Sequence, residues 1–368
     1  MAFSLRRALA AALVALSGGC SIVQAMPQTA TGPSTPSNSS STARVCNNSP
    51  ALCSRLYSQV TFMGAHDSAF LRDESTKNSL AGNQYKNATV ALDAGIRLLQ
   101  AQVHKQNDQL RLCHTSCALL DAGPLDAWLA KINTWMTQNP NDVVTILLVN
   151  SDDADVTEFA TAFQSSGLSK LGYAPPAVGA WPTLDAMITN GTRVVSFIAN
   201  IKPSSASPYL LSEFDYVFET FYEVTDLTGF NCTLDRPDNV GTASAALGKK
   251  FLGLVNHFKY QLITSSIMVP DVSDLSIVNS ADTTADGNLG KHLQQCSSEW
   301  NQRPNFVLVD FWDVGATVQA ADNINGIKGA TGRENSTNGS NDSVDSGSSR
   351  NLEQGALIVF LAVTLLMV

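Results

Sequence analysis

Two histidines stand in settings that suit acid–base chemistry. His66 and Asp67 follow the apolar residues 59–63, which predict a short strand that Gly64 ends. His114 has a comparable setting in the segment LRLCHTSC. A turn with an Asp-Ser helix cap is the plain alternative for the first pair. If both histidines reach one site, one can act as general base and the other as general acid, on opposite sides of a phosphorus or carbonyl centre.

The order of the predicted strands and helices that must position these residues indicates an α/β fold, because apolar strands alternate with helical segments. Polar groups at the ends of parallel strands are typical of catalytic sites in α/β barrels. The folded part, residues 45–328, has the usual size of one eight-stranded barrel, and a doubly wound open sheet is the alternative. After residues 59–63, the strand candidates are residues 96–103, 143–149, 193–198, 216–221, 251–255 and 306–309.

Both ends of the chain indicate processing signals. Residues 1–25 predict a signal peptide, and the Ser/Thr/Pro-rich residues 26–44 predict a linker that cannot bury a core. Residues 329–350 predict a Ser/Asn/Gly-rich stalk, and residues 351–368 predict the signal for a glycosylphosphatidylinositol anchor. A tail-anchor helix is the alternative, but the N-terminal signal argues against it. We therefore expect a secreted protein, anchored on the extracellular face of the plasma membrane or cell wall.

Cysteine usage fits the same compartment. One of the seven cysteines, Cys20, lies in the signal segment, and the remaining six suggest three disulfides among 15 connectivities. Proximity predicts the pair Cys113–Cys117, which brackets His114. The remaining pairs would then be Cys46–Cys53 and Cys232–Cys296. Glycosylation sequons occur at Asn38, Asn47, Asn87, Asn190, Asn231, Asn335, Asn338 and Asn341.

Charge and motif content exclude several functional classes. A formal charge of −9 and an isoelectric point near 5.0 argue against nucleic acid as a partner. No zinc-type cysteine or histidine spacing, GxSxG or phosphate-binding loop occurs. We expect no cofactor, although a weakly bound divalent cation such as calcium stays open. Nothing in the sequence specifies an oligomer, and a monomer is the expectation.

An ordered set of motifs, GAHDSAF, GIRLLQAQVH, LRLCHTSC and NPNDVVTILL, carries a more specific signal. It resembles the X-domain family of phosphatidylinositol-specific phospholipase C, and in particular the fungal secreted phospholipase-C-like phosphodiesterases. The likeness is close over residues 59–148 and looser to residue 313. It implies a distorted (β/α)8 barrel of the TIM type in a single domain. It also implies a phosphoric diester hydrolase that acts on a phosphoinositide or a related phospholipid.

The resemblance also implies roles for individual residues. His66 would match the general base that deprotonates the inositol 2-hydroxyl, so that this hydroxyl attacks phosphorus and forms a cyclic 1,2-phosphate. His114 would match the general acid that protonates the departing diacylglycerol oxygen. Asp67 would support the pair, and Asp310 would match the carboxylate that orients His66.

The chain departs from the bacterial pattern at Gln102, where those enzymes carry an arginine that neutralises the phosphoryl charge. A neutral amide gives only ordinary hydrogen bonds, whereas charge-assisted bonds are stronger. Loss of one such stabiliser commonly lowers the rate by about 10²–10³-fold. A rival hypothesis is therefore a catalytically weak or silent cell-surface barrel that binds lipid headgroups or glycans.

Four further residues lie at predicted strand ends and are candidates for binding substrate hydroxyls: Asn150, Glu219, Tyr222 and Asn256. For each, a loop residue that satisfies local backbone groups is the alternative interpretation.

Overall fold

A computed structural model describes residues 44–264 and 267–334 of the chain. The predicted signal peptide and anchor tail, with nearly all of the linker and most of the stalk, lie outside the described residues. The described strands are β1 (Phe62–Ala65), β2 (Leu98–Gln106), β3 (Gln109–Cys113), β4 (Asp121–Pro124), β5 (Val144–Asn150), β6 (Val194–Ala199), β7 (Leu210–Ser212), β8 (Val217–Thr220), β9 (Leu234–Arg236), β10 (Leu252–Asn256), β11 (Tyr260–Thr264), β12 (Ile267–Pro270) and β13 (Phe306–Val309).

Helices connect most of the parallel strands. They are α1 (Pro50–Cys53), α2 (Ala88–Ala94), α3 (Leu125–Gln138), α4 (Val156–Ser165), α5 (Leu184–Asn190), α6 (Ala243–Gly248), α7 (Leu275–Val278), α8 (Leu289–Trp300) and α9 (Thr317–Asn325). Short 3-10 turns lie at Tyr57–Gln59, Glu74–Thr76, Leu168–Leu171, Glu213–Asp215 and Asp238–Val240. Within the described ranges, no helix is both long enough and apolar enough to span a bilayer.

The sheet has the strand order of a barrel that is open at one seam. Its order is β7-β6-β5-β2-β1-β13-β10-β8-β9, and every neighbouring pair except β8–β9 is parallel. The first parallel strand, β1, therefore pairs with both the second and the last, as in a (β/α)8 barrel. Among the described residues, no pairing joins β7 to β8. The predicted distorted barrel is confirmed, and the doubly wound alternative is excluded.

The core has two layers because the strands are buried on both faces. One cluster contains strand residues such as Met63 and Val309 together with helix residues such as Phe159 of α4. The other contains the alternate strand residues Phe62 and Leu308. Successive strand residues point to opposite faces, so these two clusters follow from the continuous apolar runs in the sequence.

The first strand is shifted from its predicted position. Residues 57–59 form a 3-10 turn and the strand begins at Phe62, so Gly64 lies inside β1 and does not end it. A Cβ atom at Gly64 would lie 2.7 Å from side-chain carbons of Leu98 and 2.9 Å from Leu308. Glycine is required here because the neighbouring strands bring these leucines against its backbone.

Residues assigned to the start of the stalk contact the barrel. The backbone N–H of Thr331 donates to the Asn48 carbonyl, and the Glu334 N–H donates to the Asp93 carbonyl. Residues 329–334 therefore belong to the described body as much as to the stalk.

Gly64 gives a test of this packing. Gly64→Ala should lower the free energy of unfolding by about 1–3 kcal/mol, since the added methyl group overpacks β1 against its neighbours. Gly248→Ala is the matched control, because nothing lies within 4 Å of its added Cβ. Chemical denaturation of both variants checks this, and equal stability in the two would show that β1 is not tightly packed at Gly64.

Candidate active site

The site begins where the first and last parallel strands end side by side. Ala65 is in register with Val309, so the next residues, His66 and Asp310, emerge together. The Nδ1 atom of His66 lies 2.8 Å from Oδ1 of Asp310, and both residues are buried. An Nδ1–H donated to this carboxylate fixes the imidazole and leaves Nε2 free to accept a proton.

A loop segment before α2 holds this pair in place. The amide of Asn83 donates to Oδ1 of Asp310 at 3.0 Å. The amide of Gln84 donates to the carbonyl oxygens of His66, at 2.6 Å, and Val309, at 3.1 Å. Sequence reasoning missed both residues, because neither lies at a predicted strand end. Their position depends on how the loop folds back over the β1–β13 seam.

The carboxylate of Asp67 lies between the two histidines. Its Oδ2 atom is 3.7 Å from Nε2 of His66 and 3.4 Å from Nε2 of His114. It also accepts a hydrogen bond of 2.8 Å from Nε2 of Gln102. The backbone N–H of Asp67 donates to Oε1 of Gln100 at 2.6 Å. One fully buried carboxylate thus joins the predicted base, the predicted acid and the neutral amide.

Gln102 is engaged at both ends of its amide. Besides donating to Asp67, it accepts the backbone N–H of Thr115 at 2.9 Å. Thr115 follows His114, so the amide connects the carboxylate to the loop that carries the second histidine. In this arrangement Gln102 positions the site, and only its second N–H remains to meet a substrate oxygen.

The loop that carries His114 is closed by a disulfide. Cys113 and Cys117 are bonded, as are Cys46 with Cys53 and Cys232 with Cys296. These are the three predicted pairs. The edge of Phe70 packs on the His114 ring, with centroids 5.2 Å apart. Both contacts restrict the position of His114.

His66, His114 and Asp310 are each followed by a residue other than glycine whose backbone φ angle is positive, in the left-handed region. These are Asp67 (φ 45°), Thr115 (φ 59°) and Phe311 (φ 46°). Such conformations cost about 1–3 kcal/mol each and persist only where the surroundings impose them. For Phe311, the surroundings are a hydrogen bond from its N–H to Asn83 and one to its carbonyl from Asn279. The sharp turns aim His66, His114 and Asp310 at one point.

Burial and charge separate the two histidines. Burial lowers the pKa of His66, but Asp310 and Asp67 outweigh it and hold that pKa above its ordinary value. Burial lowers the pKa of His114, and Asp67 opposes this only in part. The pKa of Asp310 is raised by burial, which its bonds to His66 and Asn83 oppose. In the free protein, a proton is therefore held by His66 in preference to His114.

A second set of polar residues, the second polar group, lies on strands β8, β9 and β10. Glu219 forms an ion pair with Arg236 and accepts a 3.4 Å hydrogen bond from Asn256. The Arg236 guanidinium lies 4.5 Å from the Tyr222 ring centre. Burial raises the pKa of Glu219, but the charge of Arg236 and the hydrogen bonds with its neighbours outweigh it and hold that pKa below its ordinary value.

Glu219 also connects this second group to the first, since its negative charge contributes to the raised pKa of His66. Beside it, burial and Glu219 raise the pKa of Glu213 well above its ordinary value. Three of the four predicted substrate-binding residues are thus together, in the same part of the barrel as His66. Arg236 was missed, because the short strand β9 gives no signal in the sequence.

Asn150 is not part of either group. Its amide N–H groups donate to the carbonyls of Ala154 and Asn200, and its oxygen accepts the Ala154 N–H. Its side chain is therefore used in closing the loop after β5, which is the alternative interpretation of this residue.

A metal site is not evident in the described part of the chain. There, one group of three cysteine, histidine or acidic residues has ligand atoms within 4.8 Å of one another: Cys232, His292 and Cys296. Both cysteines are in a disulfide, so their sulfur atoms cannot act as thiolate ligands.

Comparisons with known proteins show the family to which the chain belongs. The sequence model of the PI-PLC X family matches residues 52–325. PI-PLC X domain-containing protein 1 of Arthroderma benhamiae is 38% identical over 288 residues, which cover 77% of this chain and 90% of that protein. A second protein of that fungus, named an uncharacterized secreted protein, is 35% identical over 290 residues, covering 77% of this chain and 62% of that protein.

Among solved structures, phosphatidylinositol-specific phospholipase C from Listeria monocytogenes matches with a TM-score of 0.52 and 14% identity. The match covers 77% of this chain and 100% of that one, and it shows a shared fold. The class of protein is therefore a barrel with the fold of that structure. More particularly, the chain belongs to the PI-PLC X domain family.

The raised pKa of His66 gives a test of the site's electrostatics. Asp310→Asn should move the pKa of His66 below its ordinary value, since burial then dominates over the remaining carboxylates. Titration of labelled histidines by nuclear magnetic resonance measures this. Asp152→Asn, which removes a carboxylate 3.2 Å from the ring of His104, should leave His66 unchanged. A His66 titration that is the same in Asp310→Asn and the wild type would contradict the assigned pair.

Proposed function

We propose that the chain is a phosphoric diester hydrolase of the phospholipase C type, with His66 as general base and His114 as general acid. The observation that carries the proposal is the placement of both Nε2 atoms within 3.7 Å of one carboxylate oxygen of Asp67. A phosphorus centre held at this point would have one imidazole for the attacking oxygen and one for the leaving oxygen.

In the proposed step, His66 takes up one proton and His114 releases one. Nε2 of His66 takes the proton of a hydroxyl on the alcohol that is esterified to phosphorus. That oxygen attacks phosphorus, the bond to the leaving oxygen breaks, and His114 donates a proton to the leaving oxygen. The products are a cyclic phosphodiester and a free alcohol.

The protonation preference of the free protein supports a role for the substrate charge. The attack needs His66 neutral and His114 protonated, whereas the free protein favours the proton on His66. A phosphodiester held between the two histidines brings a negative charge close to both, and so it raises the pKa of His114 as well as that of His66. Binding of the substrate thereby favours the protonated His114 that the attack requires.

We propose a phosphoinositide or related phospholipid as substrate. The second polar group supports this choice, since Glu219 supplies acceptors and Arg236 supplies donors for the hydroxyls of a ring. The aromatic ring of Tyr222 adds an apolar face beside them.

Release of a cyclic inositol phosphate from phosphatidylinositol vesicles tests the function. His66→Ala and His114→Ala should each lower the rate by about 10²–10⁴-fold, because each removes one proton transfer. His104→Ala is the matched control, since that ring bonds Asp152 and lies outside the site. Equal rates for all four proteins would leave only the hypothesis of a silent binding barrel.

Activity should also persist in a strong chelator. Calcium prefers six to eight oxygen ligands, and Oδ2 of Asp67 is already occupied by Gln102 and the histidines. The rate of the wild type in chelator, with and without added calcium, measures this. A rate that disappears in chelator and returns only with calcium would assign a catalytic cation to the site.

A further inference from the structure

Four glycosylation sequons lie within the described ranges, and their asparagines differ in how the fold uses them. They are Asn47, Asn87, Asn190 and Asn231. An N-linked glycan is attached to the side-chain Nδ2 atom, and its bulk confines it to the protein surface. The surroundings of each Nδ2 atom therefore distinguish a sequon that the folded chain can carry in modified form from one that it cannot.

Asn47 is used inside the fold. Its exposed fraction is 4%. Its Nδ2 atom donates to the Val143 carbonyl at 3.1 Å, and its Oδ1 atom accepts the Val143 N–H at 2.7 Å. A sugar on this Nδ2 atom would prevent burial of the amide and leave the backbone groups of Val143 without their partners. The native fold is therefore incompatible with a glycan at Asn47.

Asn231 and Asn190 lie nearer the surface. Asn231 is half-buried, and its Nδ2 atom donates to the Gly229 carbonyl at 3.2 Å. Asn190 is exposed at the end of α5, and a Cβ atom added to the next residue, Gly191, would meet nothing within 4 Å. A glycan on Asn190 would thus extend into open space.

Asn87 combines an exposed side chain with a fixed amide oxygen. Its Oδ1 atom accepts the N–H groups of Thr89 and Val90, each at 3.1 Å, and the Thr89 hydroxyl at 2.8 Å. In the described part of the chain, every hydrogen bond of the Asn87 side chain uses Oδ1. Attachment of a sugar at Nδ2 would therefore break none of these bonds, and the oxygen would continue to cap α2.

A cleft lined by residues of α2 and α3, here called the α2–α3 cleft, begins at Asn87. Its volume is about 450 Å³, which is within the range of small-molecule sites. Trp128 of α3 lines the cleft and is half-buried against the core. Ser75, Thr76 and Lys131 line it as well. An indole face suits the C–H groups of a sugar ring, and hydroxyl and ammonium groups suit its oxygens, so this lining fits a saccharide.

We propose that Asn87 carries an N-linked glycan whose first sugar rings lie in the α2–α3 cleft, against Trp128. The attachment atom and the cleft are adjacent, so the sugars are tethered beside the surface that they contact, and weak contacts suffice to hold them. The bonds of Oδ1 to α2 give the tether a fixed starting point. The inference is independent of the proposed catalysis and needs only the secretory route that the N-terminal sequence predicts.

The first test is expression of the full chain in a eukaryotic host cell that adds N-glycans to secreted proteins. Peptide mapping of the folded protein by mass spectrometry should find a glycan on Asn87 and none on Asn47. Thr89→Ala removes the sequon of Asn87 and should abolish the modification, whereas Thr89→Ser keeps the sequon and the hydroxyl and should retain it. An unmodified Asn87 in the wild type, or a glycan on Asn47, would overturn the proposal.

The second test measures whether the sugars are held in the cleft. An endoglycosidase that cuts between the first two sugars should act on Asn87 about 10-fold more slowly in the native protein than in the denatured protein, because the sugars must first leave the cleft. Trp128→Phe keeps an aromatic face and should keep release slow. Trp128→Leu keeps an apolar side chain but removes the flat ring, so release from the native variant should become fast. Equal rates of release from the native Phe and Leu variants would overturn the placement against the ring.

Discussion

The structure depends on the parallel pairing of the first barrel strand with the last. Met63 and Ala65 of β1 lie in register with Val307 and Val309 of β13, and this pairing joins the two halves of the open barrel where the site stands. The 2.8 Å contact between His66 and Asp310 joins residues that are 244 positions apart, and it follows directly from that register. A slip of one residue along β1 would turn the imidazole to the other face of the sheet. The contact between His66 and Asp310 therefore depends on the pairing of the first barrel strand with the last.

A single carboxylate then determines how the site handles charge. Asp67 is shared between two histidines and the neutral amide of Gln102, and this amide brings no positive charge to the position where the bacterial pattern has an arginine. In the proposed reaction, the histidines themselves supply positive charge to the phosphoryl group. After the proposed attack, the proton resides on His66, which is the distribution that the free protein favours. The substrate's own charge thus becomes part of the acid–base cycle.

The sequence predicted the parts of this arrangement that arise from local pattern. Apolar strand runs and the polar residues at their ends indicated the barrel and the two histidines, whereas the grouping of His66 and His114 with Asp67 and Asp310 came from the family resemblance. Gly64 was misjudged because glycine inside a strand resembles a strand end until the neighbouring leucines are known. The roles of Asn83, Gln84 and Arg236 could not be predicted from the sequence. They come from a loop and a short strand that reach the site from elsewhere in the chain. For Asn150, local backbone contacts prevailed over its position at a strand end.

The central claim is that His66 acts as the general base and His114 as the general acid. A change of leaving group tests this assignment most directly. An inositol phosphate ester of p-nitrophenol has a leaving oxygen that departs without protonation, so it needs a base but no general acid. His114→Ala should lose most of its rate on phosphatidylinositol and little on this ester, whereas His66→Ala should lose rate on both. Equal losses of the two variants on the ester, or a selective rescue of His66→Ala, would contradict the assignment.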